Sequence, residues 1–461
     1  MLSITILSVS GLVLLFVGFL NKISLSRSLA VAGLGLALVA LFYGNQNVLI
    51  PADMDTQLSF DGFALKFSAL ILVFAIFIVF LSGQFLRKEF VQSAEFLAVT
   101  TFSLVGALML TSFTHMITLF VGLETLGISL YILAGTDKKS NASNEASLKY
   151  LLMGAFATGL ILFGMAMIYG ATGLLDFQAI AKSSKDSLDS GLFQIGVFFL
   201  LIGLLFKVSA APFHFWSPDV YEGSPNVVMA FMAVVVKIAS FAALFRVFGH
   251  YFSGFSFLWW DIVYYACLAS LIAGNFLALI QKTVKRQLAF SSISQTGYLL
   301  FAILVMKGNM ALDGLVFYLF VYGCSILVAF SVITDWFGTR SDISLDELKG
   351  ASKKDDFGAF ALTLAYLSMA GIPITGGFIG KLFLFSPAME AGLVQLLIAG
   401  ILSSVVGAAY YFRPIIHVWF SAGQPVIEKE RNHQWIAFLG GAMLLVSGLF
   451  PDTISRLIAM M

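Results

Sequence analysis

The sequence predicts an all-α polytopic membrane protein of about 14 transmembrane helices, on three observations. Of the 461 residues, 59% are hydrophobic and only 11% are charged, a balance that cannot clothe a soluble surface. The apolar residues fall in runs of about 20, the length a helix needs to cross roughly 30 Å of hydrocarbon. Lys and Arg segregate between alternate connections, as they do in membrane chains with a fixed orientation. A net charge of +1 and the lack of a long basic run exclude a nucleic-acid partner.

The expected segments are 2–21, 26–43, 62–85, 94–113, 115–135, 147–172, 190–211, 225–249, 257–280, 285–306, 310–337, 357–386, 391–420 and 434–456. The first lacks a basic start and a small-residue cleavage site, so it reads as a retained helix and not a signal peptide. Ser112 to His115 leaves room only for a tight turn between the fourth and fifth. The seventh runs into KVSAAPFHFWSPDVYEGSP at 207–225, where Pro212 removes a donor and must break or kink the helix just after Lys207. Inside a bilayer such a break persists only where protein or internal water satisfies the freed carbonyls. The twelfth carries a second break at Gly371-Ile372-Pro373-Ile374-Thr375-Gly376-Gly377, shortly before Lys381. Two broken segments in corresponding halves are the usual pointer to binding sites built from internal repeats. Segments 4 to 8 (about 94–249) and 9 to 13 (about 257–420) would be those repeats. The rest of this single membrane domain, 1–85 and 434–456, would flank them.

Orientation follows from the loops. Lys22, Arg27, Arg87, Lys88, Lys138, Lys139, Lys149, Lys282, Lys285, Arg286, Arg340, Lys349, Lys353, Lys354, Arg413, Lys429 and Arg431 gather on one side, and Lys182, Lys185, Lys307 and Arg456 on the other. The positive-inside rule then places both termini outside the cytoplasm. Arg246 has no place in this loop pattern. Lys66, five residues after Asp61, lies near a segment end and can extend its stem to the interface.

Four charges lie in mid-segment: Glu124, Lys207, Lys237 and Lys381. Each costs roughly 2.5–3.5 kcal/mol at a membrane centre, together on the order of 10 kcal/mol. That rivals the roughly 5–15 kcal/mol by which a domain is stable, so such charges must pair, reach water or shed protons. Burial disfavours an ammonium and a nearby carboxylate restores it. A lysine so placed is loaded and unloaded by a small electrostatic change, as a proton relay requires. The competing reading is a static buried ion pair, or a lysine capping carbonyls at a helix break. Three lysines against one glutamate do not make a matched set. His214, just past the break, is placed to continue a relay or to sit hydrogen-bonded at the cytoplasmic end. Asp219 and Glu222 admit capping, packing or proton uptake. In SSISQTGY at 291–298, hydroxyls and the Gln295 amide serve either a water chain or helix packing.

Cys267 and Cys324 lie in apolar segments without metal spacing and read as packed core. The sequence has no CxxC, no histidines at metal spacing, no phosphate loop after a strand and no nucleophile elbow. No cofactor is expected in this chain.

APFHFWSPDVYEGSP at 211–225, SSISQTGYLL at 291–300 and GIPITGGFIGK at 371–381 resemble the antiporter-like membrane subunits of respiratory complex I, in their subunit N form. The resemblance extends over essentially the whole chain and implies two inverted five-helix repeats with broken helices 7 and 12. Residue by residue, Glu124 and Lys207 match the coupling pair, Lys237 the central lysine and Lys381 the end of the proton path. Lysine at 381, where subunit M is expected to carry glutamate, favours N. Gln295 stands where many subunit N chains are expected to carry histidine, which leaves open whether segment 10 hands on protons or only holds water.

What the resemblance implies is a proton-translocating subunit of an NADH:quinone oxidoreductase in a bacterial inner membrane. It would be flanked by M- and K-type subunits, with NADH, FMN, iron–sulfur clusters and quinone held by other subunits. Two alternatives come from other classes. One is a subunit of a multisubunit cation/proton antiporter, against which the APFHFWSPDVYEG wording speaks. The other is a membrane scaffold with static charges.

Overall fold

A backbone in hydrocarbon must satisfy its own polar groups, and helices do so within one segment. Accordingly, every regular element among the described residues is helical, apart from isolated bridges such as His115 with Asp176. The computed structural model describes residues 1–20, 22–43, 57–88, 92–183, 190–305, 309–340, 342–427 and 432–460. Lys185, Lys307, Lys429 and Arg431 of the loop pattern lie outside the described residues.

The helices are α1 (Leu2–Val17), α2 (Ile23–Tyr43), α3 (Gly62–Leu81), α4 (Ser93–Ser112), α5 (Met116–Ala134), α6 (Asn141–Thr172), α7 (Gly191–Lys207) and α8 (Trp216–Gly223). There follow α9 (Asn226–Tyr251), α10 (Ser256–Leu279), α11 (Val284–Val305), α12 (Asn309–Phe337), α13 (Asp356–Ala370), α14 (Gly376–Glu390), α15 (Val394–Trp419), α16 (Gln434–Leu449) and α17 (Pro451–Met460). Among the described residues, eleven helices are long and apolar enough to cross a membrane: α1 to α6, α9 to α12 and α15.

The other three expected segments are interrupted. Segment 7 ends as a helix at Lys207, as Pro212 requires, and resumes as α8. Segment 12 divides into α13 and α14 around Gly371, whose φ of +82° suits a residue without a Cβ. Segment 14, expected as one span, bends by 105° between α16 and α17. Pro451 opens α17, a position where its fixed φ starts a helix but cannot continue one. Segment 6 begins earlier than expected because the Ser140 side chain accepts from the Ser143 amide and caps α6. Polar caps also start α5 (His115) and α7 (Ser190).

Between membrane helices there is little hydrophobic driving force, so close packing carries the association. A Cβ added to Gly164 of α6 would lie 2.7 Å from the Gly196 oxygen of α7, and one at Gly196 would lie 2.9 Å from the Gly164 oxygen. The two backbones touch there, and only glycine fits on either side.

By packing, the chain forms two compact units. The first comprises 1–79, 86–209 and 235–264; the second comprises 80–85, 210–234 and 265–461. The chain leaves the first unit after Ser209, two residues past Lys207, and returns to it at Val235, two residues before Lys237. α11, in the second unit, is buried throughout its apolar window, while α6 and α15 bury only 39% of theirs, as lipid-facing helices do.

Candidate functional site

Three of the sequence-selected charges belong to the first unit. Glu124 lies on α5, with Gly127 and Tyr131 at i+3 and i+7 on the same helical face. Lys207 is the last residue of α7, where a cation faces the negative end of the helix dipole. Its Nζ donates to Thr158 Oγ1 of α6 at 3.4 Å. A Cβ at Gly127 would lie 3.2 Å from the Tyr131 hydroxyl and 3.6 Å from Lys207 Nζ, so both polar groups look onto that bare stretch of α5. The Tyr131 ring is packed over Gly154 of α6, where any Cβ would strike its hydroxyl.

Lys207 thus meets α5 one turn from Glu124, without an ion pair of 4 Å or less between the two. Glu124 Oε1 is buried without a hydrogen-bond partner. A carboxylate left thus short of partners is expensive to keep in one arrangement.

Lys237 is 4% exposed and begins the α-helical stretch Lys237–Leu244 of α9. The five residues before it, Met232–Val236, form a π-helical turn. Such bulges shift the helix register and gather at functional positions. Arg246, which the loop pattern left unplaced, is buried on α9 and binds Asp61 through two nitrogens at 2.9 and 3.0 Å. It also donates to the carbonyls of Thr111 and Ser59 and lies 5.0 Å from the Phe63 ring centroid.

The second unit holds the rest. His214 is buried, stacked on Phe215, and its Nδ1 has no hydrogen-bond partner. The segment that carries it is clamped to the start of α11. Arg286 binds Asp219 at 3.0 Å and Glu222 at 2.6 Å, Thr283 donates to Glu222 at 2.8 Å, and Lys285 donates to the Ser224 carbonyl. For Asp219 and Glu222 the geometry favours the packing alternative.

Lys381 lies on the second turn of α14 and reaches back across the break. Its Nζ donates to the Ala370 carbonyl at 2.9 Å and to Ser404 Oγ at 3.1 Å, and lies 4.5 Å from the Tyr298 ring centroid. The last carbonyls of α13 are thereby all used: Leu367 and Ser368 accept from Gly371, Met369 from the Gln295 amide at 3.2 Å, and Ala370 from Lys381. The other contacts of Gln295 are tyrosines, its Nε2 donating to the Tyr411 hydroxyl at 2.9 Å and its Oε1 accepting from Tyr318.

Residues 112–407 match the family model described as NADH:quinone oxidoreductase/Mrp antiporter, TM. The chain is 37% identical to NADH-quinone oxidoreductase subunit N of Trichlorobacter lovleyi over an alignment of 467 residues, covering 97% of this chain and 93% of the relative. The chain belongs to this family, with the N subunits. Its fold superimposes on a chain of respiratory complex I from Thermus thermophilus with a TM-score of 0.84 at 32% identity, over 98% of each. A chain of the Mrp complex from Dietzia shares the fold, with a TM-score of 0.82 at 18% identity over 99% of this chain and 95% of that one.

For this subunit N family member, sequence reading missed Thr158, Tyr131 and Ser404, and it placed Arg286 only among the loop cations, without its pairing to Asp219 and Glu222. Tyr131 carried a signal, its seven-residue spacing from Glu124. Ser404 carried none, because its partners are on α11 and α14. Among the described residues no group of three His, Cys, Asp or Glu side chains could hold a metal ion.

Proposed function

We propose that this chain is a proton-translocating subunit of an NADH:quinone oxidoreductase, working by reconfiguration of Glu124 and Lys207. Redox chemistry in neighbouring subunits disturbs that pair, the field at Lys237 changes, and a proton moves between Lys237 and Lys381 and onward. His214 extends the relay at the cytoplasmic end. The span count of 14, the inverted repeats, the bacterial inner membrane with both termini on the periplasmic side, and M- and K-type neighbours belong to the same reading. So does the placement of NADH, FMN, iron–sulfur clusters and quinone in other subunits.

One observation supports it above the rest. Lys207 Nζ reaches α5 at Gly127, one turn from Glu124, yet the lysine is held by a single 3.4 Å hydroxyl contact and a carboxylate oxygen of Glu124 is left unpartnered. A static pair would be locked with its lone pairs and protons filled. A pair that must open and close is better left under-bonded. The antiporter alternative keeps support in the fold alone, and the relatives named as N subunits favour the oxidoreductase reading.

The test is NADH-driven acidification of membrane vesicles carrying Lys237→Met, normalised to NADH oxidation and to assembled complex. Loss of pumping in an assembled complex is expected. Unchanged pumping and oxidation would make Lys237 a structural charge and overturn the proposal.

A further inference from the structure

Lys381 has two hydrogen-bond partners, and only one of them can pass a proton on. The Ala370 carbonyl accepts a hydrogen bond but has no proton to release. Ser404 Oγ, at 3.1 Å, both accepts and donates, and its own next partner is the Tyr298 hydroxyl at 3.0 Å. Tyr298 is 1% exposed on α11, with its ring beside the same ammonium. The neighbouring Ser403 is not a further link: its hydroxyl accepts from Asn275 and donates to the Leu271 carbonyl at 3.2 Å, and Asn275 is itself fixed by the Tyr410 hydroxyl at 3.1 Å. Gly407 keeps that corner open, since a Cβ there would stand 3.1 Å from Asn275 Oδ1.

Gln295, the polar side chain on α11 that the sequence singles out, is not on this row. Its side-chain hydrogen bonds run to Tyr318, Tyr411 and the Met369 carbonyl. An amide relays a proton only by passing through an imidic acid, whereas a hydroxyl does so by turning about one bond. Gln295 therefore holds the end of α13 and two tyrosines in place, and leaves the proton to the hydroxyls.

We propose that Ser404 and Tyr298 load and unload Lys381. This inference rests on the role of Lys381 in the proposed function. In unloading, a Lys381 N–H bond breaks as an O–H forms on Ser404. The original Ser404 proton passes to the Tyr298 oxygen, and Tyr298 releases its own hydroxyl proton to a water molecule. One proton moves, no electron does, and bulk water is the final acceptor. Loading runs the row in reverse.

The test uses membrane vesicles with the assembled complex carrying Ser404→Ala, Ser404→Thr, Tyr298→Phe or Lys381→Met. Tyr298→Phe keeps the ring beside the ammonium and removes only the hydroxyl, and Ser404→Thr keeps the hydroxyl. Coupled proton ejection is expected to fall about tenfold or more in Ser404→Ala and Tyr298→Phe, with a larger solvent deuterium isotope effect, and to recover in Ser404→Thr. Wild-type ejection and isotope effect in either hydroxyl-deleted variant, while Lys381→Met abolishes ejection, would overturn this inference alone. Failure of Ser404→Thr as deep as that of Ser404→Ala in equal amounts of complex would also overturn it, assigning Ser404 to packing. Wild-type ejection in Lys381→Met would remove the role of Lys381 and this inference with it.

Discussion

Gly377 is the tightest point of the broken helix in the second unit. A Cβ built on it lies 1.8 Å from the carbonyl oxygen of Ser368 and 2.6 Å from its carbon, where real Cβ atoms essentially never come within 3.0 Å. Both obstructing atoms are backbone, so no rotamer change relieves them. In Gly377→Ala, the first turn of α14 must part from the last turn of α13 by more than an ångström. Lys381 is one turn further along α14 and spans the same gap to the Ala370 carbonyl at 2.9 Å. A displacement of that size takes the bond beyond useful range unless the lysine uncoils to follow. Overpacking of this kind costs about 1–3 kcal/mol, and moving a reacting group by about 1 Å costs on the order of a hundredfold in rate. The variant should assemble with a lower melting temperature and eject protons roughly ten- to a hundredfold more slowly in NADH-driven vesicles. Gly35→Ala is the control, because a Cβ there meets nothing within 4 Å. Normal ejection in Gly377→Ala, with the complex fully assembled, would refute the claim that this break is a rigid, close-fitted joint.

Three further outcomes follow from individual contacts. Asp61→Asn removes the negative charge and one of the two acceptor oxygens that face the buried Arg246, leaving it one side-chain amide oxygen and the Thr111 and Ser59 carbonyls. Breaking a buried pair costs about 3–5 kcal/mol, and since Asp61 is 45% exposed the loss should be nearer 1–3 kcal/mol. Differential scanning fluorimetry of purified complex should read this as a lower melting temperature, and no change would mean that Arg246 is satisfied without Asp61. Arg286→Met frees Asp219 and Glu222 together and should lower thermal stability by about 1–2 kcal/mol, since the three side chains are about one-third exposed. Arg286→Lys should recover part of that loss, and equal losses would argue against a two-carboxylate clamp. Burial holds the affinity of His115 for protons below its ordinary value, against a smaller opposing pull from Asp176. The folded state thus prefers neutral His115, and its stabilisation is complete above about pH 6.5 and fades as pH falls. Melting curves at about pH 8 and about pH 5 should show wild type losing ground to His115→Asn, whose amide oxygen caps α5 at either pH. A pH-independent difference would count against the assignment.

What could be read from the sequence was what local chemistry compels. Pro212 and Pro373 had to interrupt their helices, since each lacks the backbone donor that a continuing helix needs, and both breaks lie where expected. The charges at 124, 207, 237 and 381 stood out because their cost in hydrocarbon does not depend on which neighbours they meet. The bend at Pro451 was missed because apolar length alone does not distinguish one span from two angled helices. The π-helical turn before Lys237 left no mark in Met-Ala-Val-Val-Val, whose residues suit either kind of helix.

Membrane length, helical class, the two breaks and the mid-segment charges were thus determined by the sequence alone, because each depends on a residue and the solvent around it. Only the tertiary structure decided that Lys207 meets Thr158 and α5 at Gly127 with no ion pair to Glu124, that Asp219 and Glu222 are clamped by Arg286, and that Lys381 faces Ser404 and Tyr298. Those arrangements depend on side chains from helices far apart in the chain. Their distances are set by glycine-to-backbone contacts such as Gly377 on Ser368, which no periodicity in the sequence encodes.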